Sequence, residues 1–298
     1  MEKIVKNHFD RVRWVLIIVL ILNWAVAIAK IVVGMLTRVQ SMTADGFHSL
    51  SDGTSNIIGL IGIALSSQPV DRDHPYGHKK YETFFSLGIA ALLLLVAFNL
   101  VREGFGRLFH PANPEVNVIS FVVMIVTMLT NYLVMKYEYN EGKNLRSDLL
   151  VADSMHTRAD IYTSFSVIIA LIGIKLGFPI IDPIATLVIS VFIVYAAFEI
   201  IKDASKILCD TVAIGDSEKI SSVVLSVKGV KACHKIRTRG RPDDICVDLH
   251  VQVDSGMNLE DAHKVSFCVE SELKKVIPEV SDVLVHIEPK KDQDTPRK

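Results

Sequence analysis

The sequence predicts a membrane bundle of six α-helices followed by a small α+β cytoplasmic domain of order αββαβ. Three observations predict it. The 298-residue chain is 50% hydrophobic, with a mean hydropathy of +0.37, more apolar than a soluble domain usually is. Six segments reach or approach the ~20 apolar residues that a bilayer core requires. All six lie before Leu208, and beyond it the composition becomes that of a small soluble domain.

The first span is Trp14 to Leu36, a long apolar run expected to stay as a helix rather than to be removed as a leader. The second runs from about Met42 to Ser66, the third from Thr83 to Val101, and the fourth from Val116 to Met135. The fifth runs from about Ser147 to Leu176 and the sixth from Pro179 to Ile201. Segments two and five begin with polar stretches, "TADGFHSLSD" and "VADSMHTRAD", which hydropathy alone would leave outside the helix. Lys3, Lys6, Arg11, Arg13, Arg72, Lys79, Lys80, Lys136, Lys143, Arg146, Lys202 and Lys206 all fall on one side. The short connections opposite carry only Arg38 and Lys175, with Arg107 near the end of the third helix. The positive-inside rule then puts both termini in the cytoplasm, in keeping with an even number of spans.

The soluble part is read as residues 209–290, with 291–298 as a disordered tail. Ile220, Val223, Val224 and Val227 have helical spacing, and "VKACHKIRTR" reads as a strand. In "ICVDLHVQV", Ile245, Val247, Leu249, Val251 and Val253 share one face; Cys246, Asp248, His250 and Gln252 share the other. Asn258 is the expected N-cap of a second helix, with Asp261 three residues on. In the last strand Val283, Val285 and Ile287 point inward, and His286 and Glu288 outward. By simple alternation His234 shares a face with Val230, Ala232 and Ile236, which would turn it away from His250.

Chemistry enters at the polar starts of segments two and five. His48 and Asp52 are four residues apart, and so are His156 and Asp160, so each pair occupies one helical face. Two such helices face to face present two imidazole nitrogens and two carboxylate oxygens. That set suits a tetrahedral divalent ion of the zinc kind, and two carboxylates cancel its charge at membrane depth. Four protein ligands leave no open position for a catalytic water, so the site is built to hold and release an ion. Ala44, Gly46, Ser49, Ser51, Gly53 and Ser55 allow close helix packing around the first pair. The competing expectation is that these groups are polar helix caps. The loop "VDRDHPYGHKKYE" supplies Asp71, Asp73, His74 and His78 as a second, exposed ligand cluster.

The six spans, the two His-x-x-x-Asp pairs, "ADGFHSLSD", "DHPYGHKKYE", "HTRAD" and the Asp182–Pro183 step together resemble the cation diffusion facilitators, over about residues 8–290. The resemblance implies a proton-coupled exporter of divalent transition metals that works as a homodimer in the cell (inner) membrane. Its cytoplasmic domain would have the ferredoxin- or metallochaperone-like fold. His48, Asp52, His156 and Asp160 fall on the transport ligands, and His at position 48 resembles the zinc branch. Asp71, His74 and His78 match a loop metal site. His234, His250, His286 and Glu288 match a binuclear zinc site bridging two tails, with His263 as its bridging ligand. Glu288 departs from the Asp found there in the best-matched relatives. Lys80 and Asp210 match a charge interlock between the membrane and soluble parts.

The expected function is therefore export of Zn2+ in exchange for protons by alternating access, with Zn2+ also regulatory in the tail and no organic cofactor. Iron, manganese, cadmium or cobalt are the alternative cargoes, and a membrane-anchored metal sensor or buffer is the alternative class. Enzyme chemistry is not indicated: the sequence contains neither H-E-x-x-H nor G-x-S-x-G. A net charge of −1 without a basic tract argues against nucleic acid. Cys209, Cys233, Cys246 and Cys268 form no C-x-x-C pair, which gives neither a disulfide framework nor a thiolate zinc knuckle.

Overall fold

A computed structural model describes residues 2–37, 49–50, 53–109, 118–175 and 180–290. The chain clusters into two compact units divided between Ala204 and Ser205.

The first unit is helical. Its elements among the described residues are α1 (Glu2–Thr37), α2 (Thr54–Ser66), α3 (Lys80–Phe109), α4 (Val118–Asn144), α5 (Asp148–Lys175) and α6 (Ile181–Leu208). Each covers the apolar part of an expected span, so the six spans and six helices correspond. The polar start of segment five is helical throughout: α5 begins at Asp148, well before the apolar run. Of the polar start of segment two only Ser49 and Leu50 are described, as helix; His48 and Asp52 lie outside the described residues. Val12, Leu16, Val19, Ile89, Leu93, Leu149, Leu150 and Ile193 form the buried core. The outward faces are equally apolar: Trp14, Ile21, Leu95, Phe98, Leu129, Val191, Phe192 and Phe198 are all exposed. So much exposed apolar surface on long helices is costly in water and favourable against lipid. By length and composition His8–Val32 and Lys80–Leu108 could each cross a membrane.

Small residues bring the helices close. A Cβ on Gly62 would lie 2.7 Å from Phe85 Cβ and 3.0 Å from Leu149 Cδ1, so α2 could not approach α3 and α5 with a larger residue there.

The second unit is a two-layer α+β domain: α7 (Ser217–Leu225), β1 (Ala232–Arg241), β2 (Asp244–Val253), α8 (Leu259–Val276) and β3 (Val280–Pro289). β2 is central, antiparallel to β1 and parallel to β3. The parallel pair needs a crossover, which α8 supplies. The β1–β2 hairpin turns tightly at Pro242–Asp243, and Gly240 makes this possible. Its φ is +113°, and a Cβ there would come 2.2 Å from the Asp244 carbonyl oxygen. Asp216 caps α7 by accepting from Glu218 N and Lys219 N, and Asn258 caps α8 by accepting from Asp261 N at 2.8 Å. The β2 alternation is as expected: Ile245, Val247, Leu249, Val251 and Val253 are buried against Ile220, Val224, Val265, Val269 and Leu273.

Gly62→Val is expected to lower the Tm of the detergent-solubilised protein, by overpacking worth about 1–3 kcal/mol. Gly106→Ala, where an added Cβ meets nothing within 4 Å, should leave the Tm unchanged or higher. Equal melting of the two variants would show that the α2–α3 contact does not limit stability.

Candidate metal centres

The start of α5 is fixed from two directions. Ser147 caps it, accepting from Leu150 N at 3.3 Å, and donates its own hydroxyl to the buried Glu82 of α3. Thr83 Oγ1 donates to Asp148 Oδ2 at 2.8 Å. A helix anchored there carries His156 and Asp160 on one face, one turn apart. His156 is 4% exposed, and Asp160 is half-buried. Their partners in the sequence reading, His48 and Asp52, lie outside the described residues, but the flanks of that pair are in place. Ser49 accepts from Lys30 Nζ at 2.9 Å. Gly53 is buried, with Trp24 Nε1 2.6 Å from where its Cβ would be.

Lys30 is a residue that the sequence reading passed over. It is the one ionisable group between Trp14 and Leu36, it is buried, and it bonds next to His48. A lone charge inside an apolar span is the signal that could have found it.

The loop cluster forms from a single turn. Asp71 Oδ1 accepts from the backbone N–H of Asp73 at 2.9 Å and of His74 at 2.6 Å. This Asx turn brings His74 Nδ1 to 3.2 Å and His78 Nε2 to 3.3 Å from the Asp71 carboxylate. The two imidazole rings lie 4.3 Å apart. The Asp71 carboxyl is held below its ordinary range, first by the His74 N–H, against some opposing burial. Asp71, His74 and His78 each offer a ligand atom within 4.8 Å of the others; Asp73 does not join them. His78 is buried, and its Nδ1 has no hydrogen-bond partner. Such an orphaned imidazole nitrogen fits a metal ligand better than a closed hydrogen-bonded turn.

In the second unit the structure corrects the expected facing of His234. β1 and β2 pair His234 with His250, then slip by one residue before Arg237 pairs with Asp248. Lys235 and Ile236 together oppose Leu249, and Lys235 has a left-handed φ of 51°. This bulge absorbs the extra residue. Cys233, Ile236 and Thr238 therefore face the core, and His234 faces outward with His250. Alternation fails here because a bulge has no reliable signature in composition.

The same register sets His250 opposite His286, so three imidazoles run in a row across the sheet, with ring separations of 5.4 and 4.5 Å. Glu288 reaches across them. Its carboxylate is 2.7 Å from His250 Nδ1, 3.2 Å from His234 Nε2 and 3.8 Å from His286 Nε2. His234, His250 and Glu288 offer ligand atoms within 4.8 Å of one another. His263 stands exposed on α8 and is not in that group. Glu288, which departs from the Asp that the resemblance implies, reaches the imidazoles of His250 and His234. The Glu288 carboxyl is held below its ordinary value, chiefly by the hydrogen bond from His250, with burial opposing. Lys80 opens α3 in the first unit, and Asp210, in the second unit, follows the end of α6 at a left-handed φ of 54°.

A lipid-facing bundle with a buried His–Asp face, joined to a small domain bearing clustered imidazoles and carboxylates, defines a membrane protein that handles metal cations. Residues 16–209 match the cation efflux transmembrane domain and residues 215–290 the cytoplasmic domain of cation efflux proteins. The chain belongs to the cation diffusion facilitator family and is an integral membrane protein whose relatives export divalent metal cations. It is 31% identical to an uncharacterized transporter of Methanocaldococcus jannaschii, over 92% of this chain and 96% of that one. It is 30% identical to metal tolerance protein C1 of Arabidopsis thaliana, over 88% of this chain and 59% of that one. A manganese efflux system protein of Bacillus subtilis, MneS, is 25% identical over 83% and 85%.

A carboxylate whose folded pKa lies below its ordinary 4.5 contributes stability in full above that value and loses it as pH falls through the lower folded value. With metal removed by chelator, wild type and Glu288→Gln should therefore differ in Tm at pH 7 and converge in acid, as followed by circular dichroism. A gap that stayed constant into acid would mean that the His250–Glu288 bond does not carry the effect.

Proposed function

We propose that this chain exports a divalent transition metal, Zn2+ by preference, from the cytoplasm in exchange for protons. The observation that carries the reading is the His156–Asp160 face, one turn apart and turned into the bundle of α5, with a matching His48–Asp52 pair in the sequence. The metal enters from the cytoplasmic side and takes two imidazole nitrogens and two carboxylates. To bind it, each imidazole must be neutral and each carboxylate ionised, so loading expels protons. Histidine titrates near pH 6.5, which makes that competition effective around neutrality. Rocking of the bundle turns the site outward, where protons displace the metal, and the protonated carrier returns.

Two imidazoles favour zinc, cobalt or cadmium over manganese, although one relative is named for manganese efflux. The protein acts as a homodimer in the cell membrane, with both termini cytoplasmic, and it is not an enzyme. His234, His250, His286 and Glu288 hold regulatory zinc, with His263 bridging to the second copy. Metal binding there draws two tails together and biases the transport domain. Asp71, His74 and His78 form a weaker loop site.

Purified protein in proteoliposomes, with an imposed pH gradient and a zinc-sensitive dye inside, tests the reading. Gradient-dependent Zn2+ uptake is expected in wild type and should fall to background in Asp160→Ala and His156→Ala. Zinc binding with no flux under any gradient, for manganese, iron and cobalt as well, would replace the transporter by a sensor or buffer. By equilibrium dialysis, His250→Ala should lower the zinc bound per chain while leaving the α5 site loaded. Unchanged stoichiometry would remove the tail site.

A further inference from the structure

Beneath the His156–Asp160 face lies a second pair of carboxyl groups that cation binding at those ligands does not use. Glu138 of α4 and Asp153 of α5 are both fully buried and lie within hydrogen-bonding reach of each other. The outer oxygen of each is already served by a donor. Thr157 Oγ1 donates to Glu138 Oε2 at 2.9 Å. Asn56 Nδ2 of α2 donates to Asp153 Oδ2, while Asn56 Oδ1 accepts from Asn23 Nδ2 of α1 at 3.2 Å. That chain fixes the Asn56 amide so that its donor points at the pair. The other oxygen of each, Glu138 Oε1 and Asp153 Oδ1, is buried and has no hydrogen-bond partner.

We propose that Glu138 and Asp153 form a buried proton site in the transport domain, one proton held between Glu138 Oε1 and Asp153 Oδ1. Two carboxylates side by side in a water-poor interior cannot both stay ionised. A positive charge must offset one of them. A metal ion would need more ligands than two free oxygens, since Thr157 and Asn56 turn donors, not lone pairs, toward the pair. A proton needs only two. It converts one group to a carboxylic acid that donates to the other, and the pair then carries a single negative charge and no orphaned atom. The ionisable groups around it are His156 and Asp160 further along α5, with Arg11 and Glu141 paired where α1 meets the end of α4. α2 contributes the neutral Ser55 and Asn56. As a proton store one turn from the cargo ligands, the pair deepens the antiport reading and rests on it for its role in the cycle, but not for its existence.

Infrared difference spectroscopy of the full-length protein at pH 7 tests this. Wild type should show the carbonyl stretch of a protonated carboxylic acid, sensitive to D2O. It should vanish in both Glu138→Gln and Asp153→Asn. In either variant an amide N–H stands where the proton stood, so pairing and Tm are kept. Absence of the band in wild type, or its survival in both variants, overturns the proposal. A band that emerges only after EDTA treatment assigns the pair to a metal cation and overturns it too. A wild-type band lost in both variants, together with no Zn2+ flux in proteoliposomes, upholds the proton site and defeats the antiport reading.

Discussion

An ionisable group within a membrane-spanning helix has to be satisfied inside the bundle, because lipid offers it neither water nor counter-ion. The sequence places such groups in spans that are otherwise apolar: Lys30, Asp153, His156 and Asp160. Each is tolerable only where another helix supplies a partner. The rest of the unit follows from that. Ser147 and Thr83 secure the first turn of α5 to α3, so its polar face is held at a fixed height. Glycines at 53, 59 and 62 are close-packed against neighbouring side chains, which lets α2 come near enough to share that face. The apolar residues left over are turned outward, where they meet lipid tails at no cost.

The second unit solves a different problem. Its clustered imidazoles and Glu288 sit on a sheet face in contact with solvent, where desolvation is slight and geometry decides. Register does that work. Pairing of His234 with His250 and of His250 with His286 stacks three imidazoles at strand spacing, and Glu288, two residues beyond His286, reaches back across them.

Within the buried unit the carboxyl groups divide by their surroundings. Asp160 is half-buried on the face that carries His156. Glu138 and Asp153 are enclosed, and each has one oxygen served by a donor and one buried without a partner. The same residue type thus meets two environments in one helix, and the difference is made by burial and by which donors surround it.

Much of this was legible in the sequence, because period and hydropathy are local properties. The six spans, the αββαβ order, the inward row from Ile245 to Val253 and the Asn258 cap all follow from residue spacing. The His-x-x-x-Asp pairs follow in the same way, since a four-residue interval fixes a helical face whatever surrounds it. What the sequence could not determine depends on contacts between residues far apart. The outward turn of His234 needed the bulge at Lys235, which exists only relative to β2. The convergence of Glu288 on His250 and His234 needed the register of three strands. The loop cluster needed the Asp71 turn to close on His78. The facing of Glu138 and Asp153, fifteen residues apart on two helices, needed the packing of α4 on α5. Burial and partnership are set by tertiary packing, and it is burial and partnership that decide what an ionisable side chain can do.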